Sequence, residues 1–493
     1  MQGRNEKRRS KLQKYPSYAA EIAEIKKNGI TETLLNQIIK KHRENAEYNR
    51  YLIERYEALD ECVPIFERIP RFDSSAADAI NHRINNDFFS EIVDFKTGYF
   101  AGNPIAYSYA ETVESLEDTG DAGDSESEME EARDIAVKQL TDFITRSNMF
   151  DKDMECTKYA SICGYAGRLF YIDTDGMERV MIVPPYSTII LSESGDITQP
   201  TFGVRYYEVE TDVHGNKKTC AEFYDSDKII FAEGSENNLK FVKEEENLFE
   251  MCPLQGIPNN LEMQGDAEKV LALIDAYDRA LSDANNEIDA FANAYMKFRD
   301  IIIDENEFEK LKKAGAIQFN TGGEGGDVSF LTKDINDAFV EHHLDRLEEN
   351  IYRFSKTPNL TDETFGNATG VALKFKLTGL EIKCGMFEAK MISAGTYMWQ
   401  LLAKAWAKRQ IKVDPLLVTM DFKRNFPHMT LDNAQAAQAL IAAGVPKQIA
   451  WAICIPEIDD VEYVMQVAEQ ERENIAPLTD NLPEDDEDTA ENE

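Results

Sequence analysis

The chain has 493 residues, and its 91 Asp and Glu against 53 Lys and Arg give a formal net charge of -38. Phosphates are gripped by a basic face that displaces their counterions, so this excess excludes a simple nucleic-acid binder unless one local patch escapes the field. With 43% hydrophobic and 10% aromatic residues the chain is not wholly disordered, and on the usual scale of roughly 100 to 200 residues per domain it makes two to four domains.

The N-terminus carries Arg4, Lys7, Arg8, Arg9 and Lys11 with no apolar stretch behind them, and no later run approaches the roughly 18 apolar residues of a membrane span. The seven cysteines are scattered and lack CxxC spacing, which reads as reduced thiols in a soluble, non-secreted chain. Residues 1–61 show helical spacing, as in Leu34, Leu35, Ile38 and Ile39 after Gly29. From 62 to 110 apolar and polar stretches mix, ending at the turn residues Gly102, Asn103 and Pro104. Between Glu111 and Asp134 eleven acidic residues accompany one basic residue, so a mobile acidic loop is expected over 111–134.

Helical spacing returns over 132–163, and the period then changes. RLFYIDTDG, ERVMIVPPYSTIIL, PTFGVRYYEVE, KTCAEFYDSDKIIFAE and LKFVKEEENLF are β-branched and aromatic runs bounded by turn residues. With hairpin tips at Asp175-Gly176 and His214-Gly215-Asn216, they predict an antiparallel sheet from about 168 to 250 within an α+β domain.

From Asp266 to Met296 apolar residues recur at Val270, Ile274, Tyr277, Leu281, Ala284, Ile288, Phe291 and Tyr295. Alternating steps of four and three make one long helix with a narrow seam, at ~1.5 Å per residue roughly 46 Å in length. A second helix over 334–355 repeats the spacing at Val340, Leu344, Leu347, Ile351 and Phe354. The insert between them, 297–331, reads as a small α/β tip of strand, helix, strand and glycine hairpin. A polar loop from Lys356 to Gly370 follows, then a helix over 371–409 that Gly379, Gly385 and Gly395 interrupt, predicting a kinked rod because glycine weakens a helix by about 1 kcal/mol against alanine. Helices are expected over 430–475, and the tail 476–493 is acidic and compositionally disordered.

Sites are few. Glycines 322, 323, 325 and 326 are not followed by Gly-Lys-Ser/Thr, so they form a hairpin tip rather than a phosphate loop. His342 and His343 diverge by about 100° on a helix and cannot share a metal as an i, i+4 pair does. No Gly-x-Ser-x-Gly or His-Glu-x-x-His occurs. No catalytic residue, metal or cofactor is expected.

Four stretches nevertheless carry a resemblance: GDAEKVLALIDAYDRALSDANNEIDAFANAYMKF, the tip ending in VSFLTKDI, the helix DRLEENIYRFSKTPNL, and FGNATGVALKFKLTGLEIKC with the helix through Met398 and Trp399. Together they resemble the portal proteins of tailed bacteriophages, in the SPP1-like branch of long-tailed phages of Gram-positive bacteria. The likeness covers about 250–410 well and the remainder by order of domains. Thr369-Gly370 stands where family members commonly have Ser-Gly, which keeps a small hydroxyl.

The resemblance implies a ring-forming α+β protein, usually of twelve subunits, at one capsid vertex. It implies a wing over 62–255, stem helices over 266–296 and 334–355, a clip over 297–331, a tunnel loop over 357–369, a long kinked wing helix over 371–409 and a crown over 430–475. Thr357, Asn359, Thr361, Asp362, Thr364, Phe365, Asn367 and Thr369 would line the channel, and Gly370, Gly379 and Gly385 would serve as hinges. Implied partners are further copies of the chain, the terminase large subunit, a head completion or adaptor protein, and the scaffolding and major capsid proteins. Double-stranded DNA would pass without sequence-specific binding, and no membrane is involved. The location implied is the virion, with the host cytoplasm during assembly. A coiled-coil or scaffolding protein without a channel, using the same seams, is the alternative.

Overall fold

The computed structural model describes residues 15–69, 80–110, 123–210, 215–235, 237–292, 295–299, 327–331, 337–359, 370–425, 430–454 and 467. The chain divides into two compact units, residues 1–360 with 377–425 and residues 361–376 with 426–493.

In the first unit, α1 (Ala19–Asn28) stops at Gly29, and α2 (Glu32–Tyr56) starts at Thr31, whose hydroxyl accepts from the Leu34 N–H at 3.3 Å. Such a cap satisfies a donor that the first turn leaves open. After α3 (Phe88–Ala101), strand β1 (Ala106–Tyr109) pairs with residues 418–421 far along the chain, Ala106 opposite Asp421.

Next come α4 (Gly123–Ser147) and α5 (Met149–Cys163), hinged at Asn148 in the left-handed region. The loop expected over 111–134 is thus corrected from Gly123 onward, while 111–122 lie outside the described residues. Glu126, Glu128, Glu130 and Glu131 are good helix formers. Low hydrophobicity alone therefore does not separate a loop from a charged helix.

The expected antiparallel sheet is two sheets. In one, β2 (Tyr165–Ile172) lies between β3 (Glu178–Val183) and a late strand at Leu254–Pro258, with Gly167 opposite Val183 on one side and Gly256 on the other. In the other, β4 (Thr188–Leu191), β5 (Phe202–Glu210), β6 (Lys217–Tyr224), β7 (Lys228–Ser235) and β8 (Asn238–Glu246) pair in chain order. Leu35 and Ile38 of α2 pack with Ile22 and Ile25 of α1 on Ile189, Val204 and Phe223 of this sheet. Tyr15 locks the entry to it: its hydroxyl accepts from the Ile190 N–H at 2.6 Å and donates to the Ile190 carbonyl at 3.1 Å.

After β9 (Leu254–Pro258) and a short 3-10 turn, α6 (Leu271–Ala292) leads into β10 (Tyr295–Arg299), which pairs with β11 (Asp327–Leu331), Tyr295 opposite Leu331. The helix expected over 266–296 is therefore shorter at both ends. Asp266 belongs to the loop before it, and Tyr295 and Met296 belong to a strand that favours aromatic residues once a partner strand is available. The second seam helix is α7 (Asp337–Ser355) and the long helix is α8 (Gly370–Ala407), unbroken through Gly379, Gly385 and Gly395. At Gly395 an added Cβ would lie 2.2 Å from the Met420 sulfur, so that glycine permits close packing against β12 (Val418–Asp421). In the second unit, α9 (Thr430–Ala442) and α10 (Lys447–Cys454) form a hairpin turning at Gly444 (φ 93). The tail 476–493 lies outside the described residues.

The C-terminal half of α8 is the ridge of a large aromatic cluster. Trp399 and Trp406 lie 6.4 Å apart by ring centroid, and Phe143 of α4 stands edge-on to both at 6.0 and 6.1 Å. Met398, Leu401 and Leu402 complete a fully buried core. Trp406→Ala is expected to destabilise the chain by ~3–5 kcal/mol in chemical unfolding. Trp406→Phe loses less than half as much, since the buried indole Nε1 has no hydrogen-bond partner.

Candidate functional site

The segment that joins α7 to α8 is fixed at its start by a buried charge cluster. Asp266 is 7% exposed, and it accepts from the Lys96 ammonium at 2.8 Å, the Lys383 ammonium at 2.7 Å and the Ser161 hydroxyl at 2.6 Å. The Asn259 side-chain N–H donates to the same carboxylate at 3.3 Å, and its oxygen accepts from Lys96 in turn. Four elements therefore converge on one carboxylate: α3 through Lys96, α5 through Ser161, the end of β9 through Asn259, and α8 through Lys383. Burial by itself raises the Asp266 carboxyl, but Lys96 and Lys383 override it and hold the group far below the usual carboxylate range. Burial also pulls the Lys383 ammonium down, against the opposing pull of Asp266.

Lys383 reaches further. Its ammonium donates to the Ser355 carbonyl at 2.8 Å, at the last turn of α7. Lys356 then takes a left-handed conformation (φ 60), and the Thr357 N–H turns back to the Tyr352 carbonyl at 3.2 Å. Thr357 is 4% exposed, and its hydroxyl has no hydrogen-bond partner. Asn359 donates to the Glu348 carboxylate of α7 at 2.9 Å. Of the sequence-predicted channel residues, Thr357 and Asn359 are thus anchored against the end of α7. Thr361, Asp362, Thr364, Phe365, Asn367 and Thr369 lie outside the described residues.

The three glycines named as hinges sit in different surroundings. Gly370 is the first residue of α8. Gly379 faces Lys356, whose Cβ and carbonyl oxygen would make ordinary contact with an added Cβ at 3.4 and 3.5 Å, and Gly385 has no atom within 4 Å of such a Cβ. Gly385 lies on an exposed stripe of α8 with Ile382, Met386, Ala389 and Ile392, of which Ile382 is 54% exposed. The opposite face, through Leu380, Cys384, Phe387 and Met391, is wholly buried. A helix apolar on both faces is ordinarily covered on both. Three seam-helix residues, Ile288, Phe339 and Phe354, are likewise exposed.

The sequence offered no sign of the Asp266 cluster, because Lys96, Asp266 and Lys383 are far apart in the chain and resemble surface charges. The nearest signal was a lysine inside each of two strongly apolar helical stretches. Among the described residues no group of three or more His, Cys, Asp and Glu is placed to hold a metal ion, and no helix is long and apolar enough to cross a membrane.

The sequence matches the family described as "Phage portal protein, SPP1 Gp6-like" over residues 6–478. It is also 25% identical over 423 residues to the portal protein of Clostridium phage phiCD119, covering 80% of this chain and 85% of that protein.

Removing the carboxylate tests the cluster. Asp266→Asn leaves two buried ammonium groups without their counterion, and a loss of ~3–5 kcal/mol in chemical unfolding is expected. Adding Lys96→Met to the same chain is expected to recover part of that loss, since one stranded cation is then gone. A double variant less stable than Asp266→Asn would show that the three groups do not act as a unit.

Proposed function

The chain belongs to the SPP1 Gp6-like phage portal proteins, and on that ground we propose that it assembles as a closed ring of about twelve subunits at one capsid vertex. The ring is the channel through which DNA is packaged and later ejected. It is a structural component of the virion, built in the host cytoplasm, and it catalyses no reaction. Residues 62–255 form the wing, α6 and α7 within 266–296 and 334–355 the stem, 297–331 with the paired start of β10 the clip, 357–369 the tunnel loop, 371–409 the wing helix and 430–475 the crown. The clip takes the terminase large subunit during packaging and a head completion or adaptor protein afterwards. Scaffolding and major capsid proteins meet the ring at the shell.

The observation that carries this reading is the exposed apolar stripe of α8, whose other face is already buried within the chain. A second copy of the chain covers it in a ring. The charge balance supports the same reading: a net charge of -38 suits a conduit wall that must not hold its cargo, since each cation on the wall adds a phosphate contact. Within the tunnel loop, Thr361, Asp362, Thr364, Asn367 and Thr369 offer short neutral or acidic contacts to passing DNA, and Phe365 packs between subunits. Thr357 and Asn359 moor the loop to α7, and the glycines at 370, 379 and 385 let the long helix bend as the loop moves.

Light scattering on the purified protein is expected to give a species of about 670 kDa, twelve chains of 56.0 kDa each, with a central hole in negative-stain images. Monomers or dimers alone across a range of concentrations and salts would rule out the ring, and open filaments would favour the scaffolding alternative. Lysines introduced together by Thr361→Lys and Thr364→Lys are expected to slow or stall packaging without preventing assembly. Unchanged packaging and ejection by assembled rings would show that the loop does not face DNA.

A further inference from the structure

Along α6 runs a second stripe, displaced from the apolar seam and made of Asp275, Asp278, Ser282, Asn286 and Asp289. The segment 82–86 lies against it. The Asn86 N–H donates to Asp278 at 2.8 Å, the Ile84 N–H to the Ser282 hydroxyl at 2.9 Å, and the His82 N–H to the Asn286 side-chain oxygen at 2.7 Å. Donors two residues apart meet acceptors four residues apart, in opposite chain directions. The match is geometric, because two residues of extended chain advance roughly 6.6 Å and one helical step of four advances roughly 6 Å.

The other side of the segment is held as well. Arg83 donates to the Phe66 carbonyl at 2.7 Å and Asn81 to the Arg68 carbonyl at 3.3 Å. Arg68 pairs with Asp283, His82 with Asp289, and Arg55 of α2 with Asp275 at 2.6 Å. The segment continues directly into α3, whose Lys96 enters the Asp266 cluster. Ser282 is fully buried beneath it.

We propose that Asp278, Ser282 and Asn286 are positioning residues that tie the stem helix α6 to the wing, so that load placed on the stem by moving DNA passes into the wing through the backbone of residues 82–86. The tie itself rests on geometry. Its mechanical role rests on the portal reading given above. A backbone ladder suits such a role: it resists lengthwise slip through three backbone bonds at once, with the Asn86 side chain adding a second bond to Asp278 at 3.0 Å.

Residue-resolved hydrogen exchange on the assembled protein tests the tie. The amides of His82, Ile84 and Asn86 are expected to exchange at least tenfold more slowly than those of Arg83 and Asn85. Ser282→Ala is expected to speed Ile84 about tenfold and Asn286→Ala to do the same for His82, while Ser282→Thr, which keeps a hydroxyl, leaves Ile84 protected. Uniform exchange across 82–86 would overturn the tie, and Asn286→Ala, at the exposed end of the ladder, serves where Ser282→Ala does not fold. For the mechanical role, Ser282→Thr is expected to package normally, whereas the Asn286→Ala chain is expected to form rings of wild-type mass but to yield several-fold fewer filled heads. Wild-type filling by that variant would overturn the role. A wild-type chain that showed alternating protection yet formed no ring would sink the portal reading and leave the tie standing.

Discussion

A single buried carboxylate, Asp266, fixes the loop that leads into α6. Two ammonium groups meet it, so the cluster as a whole carries one excess positive charge, and an uncompensated charge in a low-dielectric interior is strongly unfavourable. The compensation lies in the backbone and an aromatic ring. Lys383 also donates to the Ser355 carbonyl at 2.8 Å, one of the last carbonyls of α7, where the helix dipole concentrates partial negative charge. Lys96 stands 4.8 Å from the centre of the Phe387 ring, whose face attracts a cation. With the Asn259 oxygen that also accepts from Lys96, these contacts bring the end of α7 at Ser355 and the Lys383 and Phe387 face of α8 to the same cluster. Electrostatics thus couples the end of one helix to the rotation of another.

Two glycines make that cluster possible. Gly164 ends α5 with φ 89, and an added Cβ there would lie 2.1 Å from the Met263 carbonyl oxygen. At Gly265 it would lie 2.2 Å from the Ile162 carbonyl oxygen. The loop between β9 and α6 rests directly on the last turn of α5, closer than any side chain allows. Only in that position does the Asp266 N–H reach the Ser161 carbonyl at 2.7 Å, which brings its carboxylate under the Ser161 hydroxyl.

The parts of this fold legible in the sequence are those that repeat. The seam through Val270, Ile274, Tyr277 and Leu281 identifies α6, and the strand runs between 168 and 250 identify antiparallel pairing, because periodicity reports which face is covered. What covers a face is not periodic. Nothing in the sequence says that Phe88 of α3 lies edge-on to both Tyr277 and Tyr352, at 5.0 and 5.8 Å, or that a buried lysine pair meets one aspartate. Composition is a poor guide at residues 123–134, where acidity predicts a loop although the segment belongs to α4. The predicted channel residues divide along a similar line. Pro358 and the end of the α7 pattern marked where the loop starts, but burial of Thr357 follows from a left-handed turn at Lys356, a conformation that a lysine does not announce.

Two adjacent faces of α6 are met by the rest of the chain, and the next is exposed. The seam residues Val270 and Ile274 pack in one core with Ile351 and Tyr352 of α7 and Phe88 of α3. One position on, about 100° around the helix, Asp275, Asp278 and Ser282 take the Arg55 side chain and the backbone of residues 84–86. A further position on, Ala272 and Arg279 are exposed. A helix held on one face can roll on its seam, since apolar contacts are non-directional. Hydrogen bonds and an ion pair on the adjacent face remove that freedom, and they fix which side chains the third face presents. Such fixation is what repeated assembly requires: every copy must offer the same surface, at the same rotation, to whatever packs beside it.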